Sequence, residues 1–102
     1  FMDDEEEFVK FVMSRPEYYH ISKSKIFLQL IDFLSSGAKS TQVVYQQFTN
    51  IEAQDLDQML DTLVAVGLAD KIFAASNVLF FATPDAKILI EKIKKAKKQL
   101  LL

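Results

Sequence analysis

Between Leu56 and Ala86 the apolar residues change period twice, and few folds accept that order. Leu56, Met59, Leu60 and Leu63 fall at i, i+3, i+4 and i+7, one face of a helix. Gly67 ends that run. Lys71–Ala75 and Val78–Ala82 are then rich in β-formers, with Ser76-Asn77 between them as a two-residue turn. Thr83-Pro84-Asp85 restarts a helix, with Thr as N-cap, Pro at the first helical position and an acid in the first turn. A hairpin set between two helices must pack its apolar side on a core that the helices enclose.

Upstream, the same reading gives three more helices. Residues 3–15 form the first, its acidic start suited to the positive end of a helix dipole and Pro16 marking its end. Glu17–Ser22 reads as a short aromatic linker. Ser24 caps a second helix with Phe27, Leu30, Ile31 and Leu34 as its buried stripe, stopped at Ser35-Ser36-Gly37. Ser40 caps a short third helix over 41–48. Thr49-x-x-Glu52 has the form of a capping box, and a fourth helix follows to about Val66. The predicted class is mainly α with a β-hairpin (α+β), as one domain over 1–102. It comprises an N-terminal helix (3–15), a core and hairpin (24–82) and a C-terminal helix (84–101). A different α+β arrangement of the same elements also fits. An all-helical bundle leaves Phe73, Val78, Phe80 and Phe81 without a strand-like role.

Composition narrows the chemistry. Of 102 residues half are apolar, which is ample for one core, and only two are Gly and two Pro. There is no Cys, so disulfides, thiolate metal sites and a Cys nucleophile are excluded, and a cytoplasmic (intracellular) setting is expected. The longest apolar runs are far short of the roughly 20 residues a membrane-spanning helix needs, so no membrane partner is expected. The acidic N-terminus reads as neither a secretory signal nor a transit peptide. Net charge is only −2, but its layout is polarised. Residues 3–7 are all acidic, and six of the twelve basic residues lie between Lys87 and Lys98.

Two stretches resemble a known family. Leu60-Asp61-Thr62-Leu63-Val64-Ala65-Val66-Gly67-Leu68 looks like the end of the second helix of a winged helix-turn-helix, where two leucines three apart precede a Gly-Leu entering the wing. Phe80-Phe81-Ala82-Thr83-Pro84-Asp85-Ala86 is similar to the strand and Thr-Pro cap before the closing helix of small winged-helix repressors, such as the multiple-antibiotic-resistance (MarR-like) and arsenical-resistance (ArsR-like) families. The resemblance spans roughly residues 24–100. It implies a winged helix-turn-helix with extra N- and C-terminal helices, binding double-stranded DNA as a transcription regulator and a homodimer. One departure stands out. Residues 52–66 hold Glu52, Asp55, Asp57 and Asp61 and no Lys or Arg, where such repressors usually carry basic or polar residues into the major groove. Four negative charges there repel phosphate.

No motif points to an enzyme. His20 is the only histidine, without a second His at ligand spacing, and the two glycines, Gly37 and Gly67, build no phosphate loop. The acids Asp55, Asp57 and Asp61 fail the EF-hand template, because Met59 and Leu60 stand where a ligand and a glycine are required. No cofactor or metal is expected. Candidate DNA contacts are Lys23, Lys25, Lys39, Gln42, Gln54, Gln58, Lys94, Lys95 and Lys98. In the last helix Leu89, Ile93, Ala96 and Leu100 continue a 3,4 spacing from Ala86. That stripe reads equally as packing on the chain's own N-terminal helix or as a homodimer seam. The alternative function is a protein–protein interaction module, docking through the acidic face Asp55, Asp57 and Asp61 or through the basic last helix, without DNA.

Overall fold

The computed structural model describes residues 4–100, with side chains over residues 6–96. The order is α1 (Asp4–Ser14), α2 (Pro16–Ser22), α3 (Lys25–Ser35), β1 (Lys39–Ser40), α4 (Thr41–Gln47), α5 (Ala53–Ala65), β2 (Ala69–Ala74), β3 (Asn77–Ala82) and α6 (Pro84–Leu100). The expected aromatic linker is the helix α2. Pro16 does end α1, yet it also occupies the first turn of α2, where its missing N–H costs nothing. Tyr18 and Ile21 of that helix are buried at 1% and 5% exposure, so α2 belongs to the core.

The core is built from the predicted stripes. Leu30, Ile31 and Leu34 of α3, Val44 of α4, and Leu56, Leu60 and Leu63 of α5 are buried together with Leu89 of α6 and Phe80 of β3. Phe8 and Phe11 of α1 pack against this cluster. Each fully buried Leu contributes roughly 1.5–3 kcal/mol relative to exposure. Ser24 and Ser40 cap α3 and α4 as expected, their hydroxyls accepting from Phe27 N–H and Val43 N–H, both at 3.3 Å. The capping box does not form. Glu52 is itself the N-cap of α5 and makes no side-chain cap bond, while Thr49 and Asn50 lie in the preceding turn.

At its other end α5 closes in a Schellman motif. Gly67 is left-handed at φ +83°, Gly67 N–H donates to Val64 C=O at 3.1 Å and Leu68 N–H to Leu63 C=O at 2.9 Å. The chain then enters a three-stranded antiparallel sheet of order β1-β3-β2. Ala69 pairs with Ala82 and Ala74 with Asn77, so the two-residue turn is Ala75-Ser76, one position earlier than expected. The register puts Ala69, Phe80 and Ala82 on one face, and all three are buried. Strand β1, unforeseen, pairs Lys39 with Phe80 and Ser40 with Leu79, joining the start of α4 to the hairpin. Thr83 latches the hairpin's base. Its hydroxyl donates to Gly67 C=O at 2.7 Å and its N–H to Leu68 C=O at 3.1 Å.

Helix α6 crosses back over α1, α2 and α3. Tyr18 hydroxyl donates to Asp85 at 3.3 Å, and Lys92 reaches Glu7 at 3.8 Å and sits 5.8 Å from the Phe11 ring. Arg15 lies 4.7 Å over Tyr18, donates to Glu17 at 2.9 Å and reaches Val66 C=O at 3.3 Å, tying the α1–α2 junction to the end of α5.

Candidate functional site

With Leu56, Leu60 and Leu63 turned inward, the outward face of α5 is Gln54, Asp55, Asp57, Gln58, Asp61 and Thr62, all exposed. Helix α4 adds Gln42, Val43, Gln46 and Gln47 as exposed neighbours. The two helices are tied by the Tyr45 hydroxyl, which donates to Asp57 Oδ1. That hydrogen bond, helped by desolvation and by the Asp57 charge, raises the Tyr45 pKa above its ordinary value. Between α4, α5 and the hairpin lies a depression of about 320 Å³, lined among others by Tyr45, Asp57, Asp61, Lys71 and Phe80. Among the described residues Lys71 is the single cation in that lining, and Asp57 and Asp61 outnumber it. At the hairpin's outer end Phe73 is 73% exposed, with Lys71 Nζ 5.8 Å from its ring.

The predicted lysines fall in several places. Lys39 Nζ donates to Gly37 C=O at 2.9 Å and to Ser36 Oγ at 3.0 Å, and it lies 5.0 Å from the Phe33 ring. It thereby serves the carbonyl end of α3, where a cation is favourable. Lys23 lies 4.3 Å over Tyr19. Lys25 and Lys94 come together along the line where α3 meets α6. Lys94 is 3.9 Å from Asp32, and Lys95 is 3.0 Å from Glu91. The side chain of Lys98 lies outside the described residues. None of the described ones lines the depression that holds Asp57 and Asp61. Helix α5 packs on β2 and α4, whereas α6 packs on α1, α3, α2 and β3. The basic and acidic candidates therefore occupy different parts of the surface.

Of the seam residues, Leu89, Ile93 and Ala96 are 0%, 7% and 5% exposed within the single chain. They already have cover, with α1 as the main helical neighbour of α6. The Leu100 side chain lies outside the described residues. His20 is exposed, its ring 6.1 Å from that of Tyr19. Among the described residues no cluster of three or more His, Asp or Glu is arranged to hold a metal ion, and no helix is long and apolar enough to cross a membrane.

No protein-family model matches the chain, and neither does any curated protein. Solved structures do match. An ArsR-like transcriptional regulator from Rhodococcus sp. RHA1 superposes with a TM-score of 0.66 at 13% sequence identity, covering 91% of this chain and 88% of that one. The fold is a winged helix-turn-helix. In its terms α4 and α5 are the helix-turn-helix pair, β2 and β3 the wing, and α1, α2 and α6 the flanking helices. The wing and the second helix of the pair stand where the sequence put them, apart from the one-residue shift in the turn.

Sequence reasoning missed Lys71, Tyr45 and the α3–α6 surface. That surface had a signal. Lys25, Leu28 and Asp32 fall at i, i+3 and i+7 on α3, and Lys87, Ile90 and Lys94 do the same on α6. Neither stripe has meaning until the two helices are known to be neighbours.

Proposed function

We propose that this chain is a small winged-helix regulator that acts on double-stranded DNA as a homodimer. The observation that carries the reading is the fold, since the likeness to the Rhodococcus regulator covers 91% of the chain. In this reading α5 enters the major groove, where Gln54 and Gln58 hydrogen-bond to bases or backbone. Gln42 of α4 and Lys71 of the wing flank it. Two copies meet through the outer faces of α1 and α6, where Val9, Met13 and Ile88 remain 44%, 75% and 40% exposed. The regulator reading needs no catalytic step and no cofactor.

One observation favours a second reading. The outward face of α5 carries Asp55, Asp57 and Asp61 and no cation, and phosphate neutralisation supplies most non-specific DNA affinity. The same fold then serves as a docking module, through the acidic α5 or the basic α6. Fluorescence anisotropy with a mixed-sequence duplex, at low and at near-physiological salt, separates the two. Binding that weakens steeply with salt supports the DNA reading. No binding at low salt overturns it and leaves docking.

A further inference from the structure

Helices α3 and α6 leave a groove between them that neither the helix-turn-helix nor the wing uses. Two depressions, of about 250 and 350 Å³, share Asp32, Ile90 and Lys94 and so form one continuous trough. Leu28 and Ile90, both half-buried, and buried Ile93 make an apolar floor. Around it stand Lys25, Lys87, Lys94 and Lys95 against Asp32 and Glu91. The two acids are engaged, Asp32 by Lys94 at 3.9 Å and Glu91 by Lys95 at 3.0 Å. Lys25 and Lys87 have no ion-pair partner among the described residues, and one of them lines each depression. The rim therefore holds a surplus of two positive charges over a greasy floor.

We propose that this groove docks an acidic amphipathic helix of a partner protein. Such a helix sets Leu, Ile or Phe at i, i+3 and i+7 onto Leu28 and Ile90, and its flanking Asp or Glu meet Lys25 and Lys87. A DNA backbone fits less well. It gains nothing from the apolar floor of Leu28, Ile90 and Ile93. The molecule already contains one pairing of this kind. Helix α1, with Glu7 at Lys92 and Phe8 and Phe11 packed on the core, lies along another side of α6. The groove is separate from α5, so it stands apart from the DNA reading, and it gives the docking use of the basic last helix a definite occupant.

The test titrates a helix-forming peptide of about 15 residues, with Leu on one face and Glu on both flanks, into isotopically labelled protein followed by amide chemical shifts. The expected result is perturbation centred on Lys25, Leu28, Ile90 and Lys94, with binding weakened about tenfold in the Lys25→Glu/Lys87→Glu variant and by high salt. Both lysines are exposed, so the variant should keep its fold, which its own amide spectrum checks. Three outcomes overturn the proposal: no shifts in this groove at about 1 mM peptide, equal binding of a scrambled peptide of the same charge, or the same amides moving with a duplex but not with the peptide. A concentration-dependent shift of these amides without peptide would also overturn it, by showing that a second copy covers the groove.

Discussion

Ala75 and Gly67 both hold positive φ, 53° and 83°, and only one of them is a glycine. An L-residue in the left-handed region costs roughly 1–2 kcal/mol. Ala75→Gly should therefore stabilise the domain by about 0.5–1 kcal/mol, after allowing for the greater freedom of glycine in the unfolded chain. Thermal unfolding should show a midpoint raised by a few degrees. The reverse change, Gly67→Ala, should cost about 1 kcal/mol. Its new Cβ would meet Arg15 only at 3.6 Å, an ordinary contact, so the cost there is conformational. Two tyrosines bear on the alkaline behaviour. Burial, and then the charge of Asp85, push Tyr18 above its ordinary 10.0, and the hydrogen bond to Asp57 does the same for Tyr45. Both ionise less readily folded than unfolded. Their contribution is thus full below pH 10.0 and is lost as pH rises through the folded values. In denaturant titrations across that range, Tyr18→Phe should flatten the fall in stability; an unchanged slope would remove Tyr18 as its cause.

At the scale of elements, α6 distinguishes a core stripe from a surface seam. Ile93 is 7% exposed within one chain, so Ile93→Glu should unfold the domain, at a cost of about 3–5 kcal/mol. Circular dichroism would read that loss directly. Met13→Glu and Ile88→Glu lie on exposed positions and should leave the fold intact. If light scattering finds a dimer, these two should reduce it to a monomer, and an unchanged mass would remove the proposed outer-face contact. The helical stripes were legible because a 3.6-residue period over two or more turns has no other reading, as Leu56 to Leu63 shows. Short or shared signals were not. Strand β1 is two residues long and exists only through its partner β3. Pro16 reads as a stop, and nothing local says that it also starts α2. Thr49-x-x-Glu52 satisfies a capping pattern, but Ile51 N–H bonds back to Phe48 C=O in a turn, and Glu52 becomes the cap. Ser76-Asn77 is the more polar pair, yet pairing Ala74 with Asn77 sets buried Ala69 opposite buried Ala82, where a turn at Ser76-Asn77 would set exposed Lys71 there. The site divides the same way. The outward face of α5 follows by subtraction from its buried leucines, whereas the α3–α6 groove requires knowing which helices touch.

Across the whole molecule, charge is sorted by place. Asp57 and Asp61 of α5 line the wing depression, and the surplus lysines Lys25 and Lys87 flank the groove between α3 and α6. If α5 approaches DNA, Asp57→Lys together with Asp61→Lys should tighten duplex binding. It should also steepen the salt dependence, by up to about 0.9 in log–log slope per added phosphate contact. Anisotropy over a range of salt measures both, and no change in either would place α5 away from the duplex. Thr83, bonded to both Gly67 and Leu68, has a wider consequence. It shuts the hairpin at its root, so the tip at Ala75-Ser76 can grow without disturbing anything below it. Each doubling of such a loop costs only about 0.6 kcal/mol. Wing length is therefore a dimension in which descendants of this chain are free to vary, and new reach can be gained there one residue at a time without refolding the parent.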